Sequence, residues 1–133
     1  MIMYIILFIF SAYLTLFLHE FAHYVALKIA HIEITSFKPY PHRNEGKLYF
    51  GCVYFNIPRL CESGETLIPI YSASLWKGFV LLIFWMWMAL NVWLPLCIFA
   101  ATEFIDCIYW WFGFFTKREG SDGKKVRELS GWL

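Results

Sequence analysis

The chain has 133 residues, of which 60% are hydrophobic, 22% aromatic and only 16% charged. A soluble domain carries about 25% charged and roughly 45–50% apolar residues, and a chain this short buries only about two-thirds of its surface. So much apolar side chain cannot hide in its own core, which excludes a soluble monomer. Low charge with high hydrophobicity excludes disorder. A net charge of +1 with no long basic stripe excludes a nucleic-acid partner. The remaining class is a small integral membrane protein of one domain, 1–133, with the lipid bilayer around it.

In chain order, Met1 to Leu18 carries no charged side chain, and the apolar helical pattern runs on to about Ile29. A transmembrane helix needs ~20 apolar residues, so the first predicted span is about 2–29. It has neither a positive n-region nor a small-x-small cleavage site and so reads as a span rather than a signal peptide. The second apolar block, Leu67 to Phe115, is interrupted only by the charges Lys77, Glu103 and Asp106. It is long enough for two spans, about 68–90 and 93–115, with a turn near Asn91 to Pro95. The expected fold is therefore mainly α, with three transmembrane helices and a polar tail at 116–133.

The strand region, 31–60, separates the first two spans. His31 to Thr35 alternates apolar and polar residues, Lys47 to Asn56 is rich in aromatic and β-branched residues, and Pro39 to Lys47 carries turn chemistry. This predicts a small β-hairpin, either a lid packed on the bundle or an exposed edge that pairs with an extended peptide. His31 and His42 are expected to be solvated or in turns.

Every Lys and Arg except Lys77 lies between Lys28 and Arg59 or between Lys117 and Arg127. With three spans those segments share one side, and the positive-inside rule makes it cytoplasmic, with the N-terminus outside and the C-terminus inside. Lys77 is expected to snorkel to the same face, or the second helix to begin later. Cys52, Cys61, Cys97 and Cys107 form no CxxC pair, so a thiolate zinc site is not indicated. Cys52 and Cys61 fall on the predicted cytoplasmic side, where thiols stay reduced, and Cys97 and Cys107 read as packing residues. The tryptophans at 85, 87, 93, 110 and 111 are explained by interfacial belts and packing.

His19-Glu20-Phe21-Ala22-His23 is an HExxH motif. Histidines at i and i+4 project from one helix face, so both imidazoles can hold one Zn2+ as metal ligands, with Glu20 beside it as catalytic general base. Ionisable residues inside an apolar span are expensive to bury and mark a functional site.

The segment from His19 to Phe37 resembles the site-2 protease family of intramembrane zinc metalloproteases. His19, Glu20, Phe21, His23 and Tyr24 match its motif, Lys28 its basic position, and Ile32, Ile34 and Phe37 its following strand. A second strand, similar to Leu48–Asn56, and two further helices complete the order of a minimal catalytic core. The resemblance implies a protease that cuts a transmembrane protein substrate by regulated intramembrane proteolysis. It also implies that the substrate pairs with the strand residues Val53, Tyr54, Phe55 and Asn56.

A catalytic zinc takes three protein ligands, and the family supplies an Asp as the third, usually followed by Gly. Asp106 is favoured by depth, because it and His19 both lie about 15–18 Å from the same end of their spans, although Cys107 follows it. Asp122-Gly123 matches the motif better, but it lies in a polar stretch and lacks the family's preceding Asn-x-x-Pro. Glu103, one turn before Asp106, is a supporting residue or an alternative ligand. A non-enzymatic zinc-binding membrane protein, or a zinc hydrolase of a non-peptide membrane substrate, fits the same motif. Whether one chain suffices or copies form a homo-oligomer is left open by the sequence.

Overall fold

A computed structural model describes residues 1–59 and 62–132; Cys61 lies outside the described residues. The elements in order are α1 (Ile2–Ile29), β1 (Glu33–Lys38), β2 (His42–Asn44), β3 (Lys47–Tyr49), β4 (Cys52–Asn56), α2 (Gly64–Asn91), α3 (Cys97–Thr116) and α4 (Asp122–Leu129). Among the described residues three helical segments are long and apolar enough to cross a membrane: Ile2–Ile29, Gly64–Asn91 and Leu94–Thr116.

These helices expose large apolar side chains and bury several polar ones, unlike the helices of a soluble bundle. On α1 the buried residues are Ser11, Thr15, His23 and Leu27, which share one face at multiples of four residues. Ile2, Ile5, Ile6, Ile9 and Phe10 are all more than half exposed on the other faces. Ser72 and Ser74 of α2 and Thr102 and Glu103 of α3 are also buried. Hydroxyl contacts tie α1 to α3: Ser11 Oγ lies 2.6 Å from Thr102 Oγ1, and Thr15 Oγ1 lies 3.0 Å from the same atom. In lipid the exposed apolar faces gain nothing by burial, so hydrogen bonds and close packing hold such helices together.

α1 ends in a Schellman arrangement. His31 takes the left-handed conformation at φ 56°, its N–H donates to Lys28 O at 3.1 Å, and Ile32 N–H donates to Leu27 O at 3.0 Å. That role accounts for His31. Ile32 then packs with Leu27, Val53, Leu67 and Ile70 in a small core that fastens the sheet to the end of α1 and the start of α2. α2 begins four residues before the expected span, at Gly64 after Ser63. The turn between α2 and α3 falls where Asn91 to Pro95 predicted it, with a 3-10 turn at Leu94–Leu96.

The strand region is more divided than a single hairpin. β1 pairs antiparallel with β4, with Phe37 opposite Val53 and a register shift between Ile34 and Ser36. The expected strand from Lys47 to Asn56 is split into β3 and β4 by Phe50-Gly51, and the expected turn from Pro39 to Lys47 contains β2, which pairs with β3. His42 is thus a strand residue, its Nε2 3.0 Å from the Tyr54 hydroxyl.

The tail after α3 folds back onto the bundle. Ser121 caps α4 by accepting Lys124 N–H at 3.3 Å. Val126 packs with Leu75, Cys107 and Trp110, and Arg127 Nη1 donates to the carbonyls of Phe114 and Phe115, 3.1 Å each, near the end of α3. Gly123 permits the seating: a Cβ there would lie 2.6 Å from Phe114 N and would overlap the Trp110 carbonyl.

Candidate metal centre

The helical spacing of the motif puts His19 and His23 on one face of α1, their rings edge to face with centroids 5.1 Å apart. His23 Nδ1 is 2.8 Å from Ile70 O, a carbonyl of α2 that can only accept, so this nitrogen carries the proton. His19 Nδ1 is 3.0 Å and 3.1 Å from the two oxygens of Asp106 and donates in the same way. Both rings therefore turn Nε2 to the same point, where Asp122 Oδ2 lies 2.9 Å from His23 Nε2 and 3.2 Å from His19 Nε2.

One donor atom from each of His19, His23 and Asp122 lies within 4.8 Å of the others, the one group of this kind found among the described residues. Metal bonds of about 2.0–2.2 Å in a tetrahedral site set neighbouring ligand atoms roughly 3.4 Å apart, so the observed separations suit a small cation. Two imidazole nitrogens and a carboxylate oxygen form a donor set that zinc accepts. The partners on Nδ1, a carboxylate for His19 and a main-chain carbonyl for His23, are those that orient metal-binding histidines. Glu103 and Asp106 share the one ammonium of Lys77, and Asp122 faces the two imidazoles, so a cation held between Asp122 and the rings would offset the remaining negative charge. Burial disfavours ionisation of Asp122, but with no ion bound, positive charge on the His23 and His19 rings and their hydrogen bonds to the carboxyl outweigh burial and hold it well below the usual range.

The donor group close enough to hold a metal includes Asp122, the alternative third ligand, and not Asp106, the favoured one. Depth does bring Asp106 beside His19, but at Nδ1, the nitrogen turned away from His23. The polar tail does not stay in solvent: α4 carries Asp122 back to the histidines. Glu103 is outside the donor group as well; it is 1% exposed and pairs with Lys77 at 2.7 Å. Lys77 does not snorkel. It lies within α2 and also reaches Asp106 Oδ2 at 3.0 Å.

Glu20 is partly buried and lines a cavity of about 350 Å3 with His19, His23, Asp122 and the apolar side chains of Tyr49, Val53, Phe55, Ile70, Tyr71, Tyr109 and Trp110. Its side chain lies against the main chain of Gly51, where a Cβ would sit 2.6 Å from Glu20 Cγ. Strand alternation divides the expected substrate-pairing residues. Val53 and Phe55 line the cavity; Tyr54 hydrogen-bonds His42 and Asn44 of the outer hairpin, and Asn56 is exposed. Cys52 also lines the cavity. Burial, and then the nearby Glu20 carboxylate, push its thiol up, so it is a neutral neighbour at physiological pH.

Gly123 enters the sequence reading only as the Gly of the Asp-Gly match, and Gly51 and Lys77 do not enter it as site residues. Of these two, Lys77 carries a signal, a cation inside one apolar helix with two acids in the next. Comparison with known proteins finds no matching family model, no matching curated protein and no matching solved structure.

Proposed function

We propose that the chain is an intramembrane zinc metalloprotease, resembling the site-2 proteases, that hydrolyses peptide bonds of transmembrane protein substrates. The observation that carries this reading is the convergence of His19 Nε2, His23 Nε2 and Asp122 Oδ2 beside Glu20, at the wall of an apolar cavity. His19, His23 and Asp122 would hold the ion. When bound, zinc supplies Lewis-acid chemistry: it polarises a carbonyl and lowers the pKa of a water to about 7.

Glu20 takes the proton of the attacking water and delivers it to the departing amide nitrogen. β4, running along the cavity wall, offers its main chain to an extended substrate segment, and Val53 and Phe55 meet its apolar side chains. This favours a substrate helix that has locally unwound. The basic end, which carries the sheet and α4, is placed in the cytoplasm with the N-terminus outside.

The test is co-expression of the chain, or of its Glu20→Gln variant, with a panel of single-span membrane proteins. Cleavage should fall by about 10²–10⁴-fold in the variant while zinc content is kept. Equal cleavage by both would sink the mechanism. Zinc binding without cleavage of any panel member would favour a non-enzymatic role.

A further inference from the structure

Lys77 and Glu103 hold no place in the donor set, yet they are joined to it through an unbroken line of contacts. Thr15 Oγ1 lies 3.2 Å from Glu103 Oε1, and Lys77 Nζ donates to Glu103 Oε2 at 2.7 Å and to Asp106 Oδ2 at 3.0 Å. Asp106 in turn accepts from His19 Nδ1 at 3.0 Å. The side chains of Lys77 and Asp106 are 11% and 12% exposed, and that of Glu103 2%.

A lysine needed only to glue α2 to α3 would be satisfied by one carboxylate. Here Glu103 neutralises the ammonium, and the ammonium is shared with the carboxylate that orients a metal ligand. An Asp side chain alone can rotate about two torsions. Anchored through Oδ2 to Lys77 on α2, the carboxylate is held with both oxygens facing His19 Nδ1, at 3.0 Å and 3.1 Å.

We propose that Lys77 is a positioning residue of the metal centre: by clamping Asp106 it fixes the His19 ring with Nε2 facing Asp122. This rests on the metal-site reading above. It assigns the intramembrane ion pair to the site rather than to helix packing alone. The role follows from position: Glu103 and Asp106, three residues apart on α3, share a face, and Lys77 on α2 bridges both.

The full chain in lipid nanodiscs provides the test. Zinc affinity is measured by competition with a chromophoric chelator, and the electronic absorption of the cobalt-loaded protein reports ligand geometry. Lys77→Met should weaken zinc binding by about 10–100-fold and shift the cobalt bands, and Lys77→Arg, which keeps a multi-donor cation, should recover most of both. The double variant Lys77→Met with Glu103→Gln leaves no unpaired carboxylate at 103 and so remains foldable where the single variant is not. It should bind zinc as weakly as Lys77→Met. Wild-type affinity and spectrum in the double variant would overturn the proposal and leave Lys77 a structural ion pair. If the unaltered chain binds no more zinc than His23→Ala, the metal-site reading itself fails and this inference falls with it.

Discussion

Asp122 Oδ2 lies 2.9 Å from His23 Nε2, although 99 residues separate them along the chain. The contact exists because a polar tail returns to an apolar bundle, so the carboxylate beside both Nε2 atoms comes from α4 rather than from a long apolar helix. Asp106, the other acid beside the histidines, contacts His19 through Nδ1 only. The two acids therefore occupy separable positions: Asp122 faces both Nε2 atoms, and Asp106 faces Nδ1 of His19.

Zinc stoichiometry distinguishes them. Asp122→Ala should lower bound zinc from about one per chain towards zero, because the remaining protein donors are too few for a tight site. Asp106→Asn should still bind zinc, about 10–100-fold more weakly. Metal analysis after dialysis against graded chelator reads both. The opposite ranking would return the ligand role to Asp106.

Gly123 should matter as much as the ligand beside it. A methyl group at 123 meets the α3 main chain at Trp110 and Phe114, which cannot yield as a flexible side chain would. Gly123→Ala should therefore displace α4, lose zinc although every donor is intact, and destabilise the tail by about 1–3 kcal/mol. Limited proteolysis should show earlier cleavage after Lys117 or Arg118 than in the unaltered chain. Retained zinc and an unchanged digest would show that α4 does not need so close an approach.

Gly51 has the same relation to the proposed base. A Cβ there meets Glu20 at Cγ, in the middle of the side chain, so the carboxylate must move. Gly51→Ala should keep zinc, lower the cleavage rate and leave substrate affinity little changed, since the strand beyond Gly51 is anchored by Val53 in the core. A 1 Å misplacement of a reacting group costs on the order of 10²-fold. Rate and affinity measured separately on one cleaved substrate check it; an unchanged rate would remove Glu20 from the chemistry or Gly51 from its placement.

Much of this molecule was legible in the amino-acid order because its governing physics is local. A bilayer-spanning helix is a run of apolar residues, so the spans and the turn between the last two appeared with small shifts at their ends. HExxH brings two imidazoles to one helix face through the 3.6-residue period alone, so His19, Glu20 and His23 could be named before any contact was known. The strands were less clear. Register within a short aromatic stretch depends on which backbone it pairs with, and Gly51 divided what looked continuous.

Which of the two candidate acids meets both Nε2 atoms, and how the buried charges pair, belong to the tertiary structure. Asp122 sits in a sequence that reads as a solvated turn, and only the packing of Val126 and Gly123 on α3, with Arg127 on its final carbonyls, brings it to the histidines. Lys77, Glu103 and Asp106 announced themselves as charges in apolar helices, but a charge in a span carries no record of its partner. Which nitrogen of His19 faces Asp106 and which faces Asp122 is settled by ring orientation, set jointly by α1, α2, α3 and α4. Composition marked out three helices long and apolar enough to cross a membrane, and spacing named two candidate ligands and a candidate base. Bringing Asp122 to the histidines required four helices to meet.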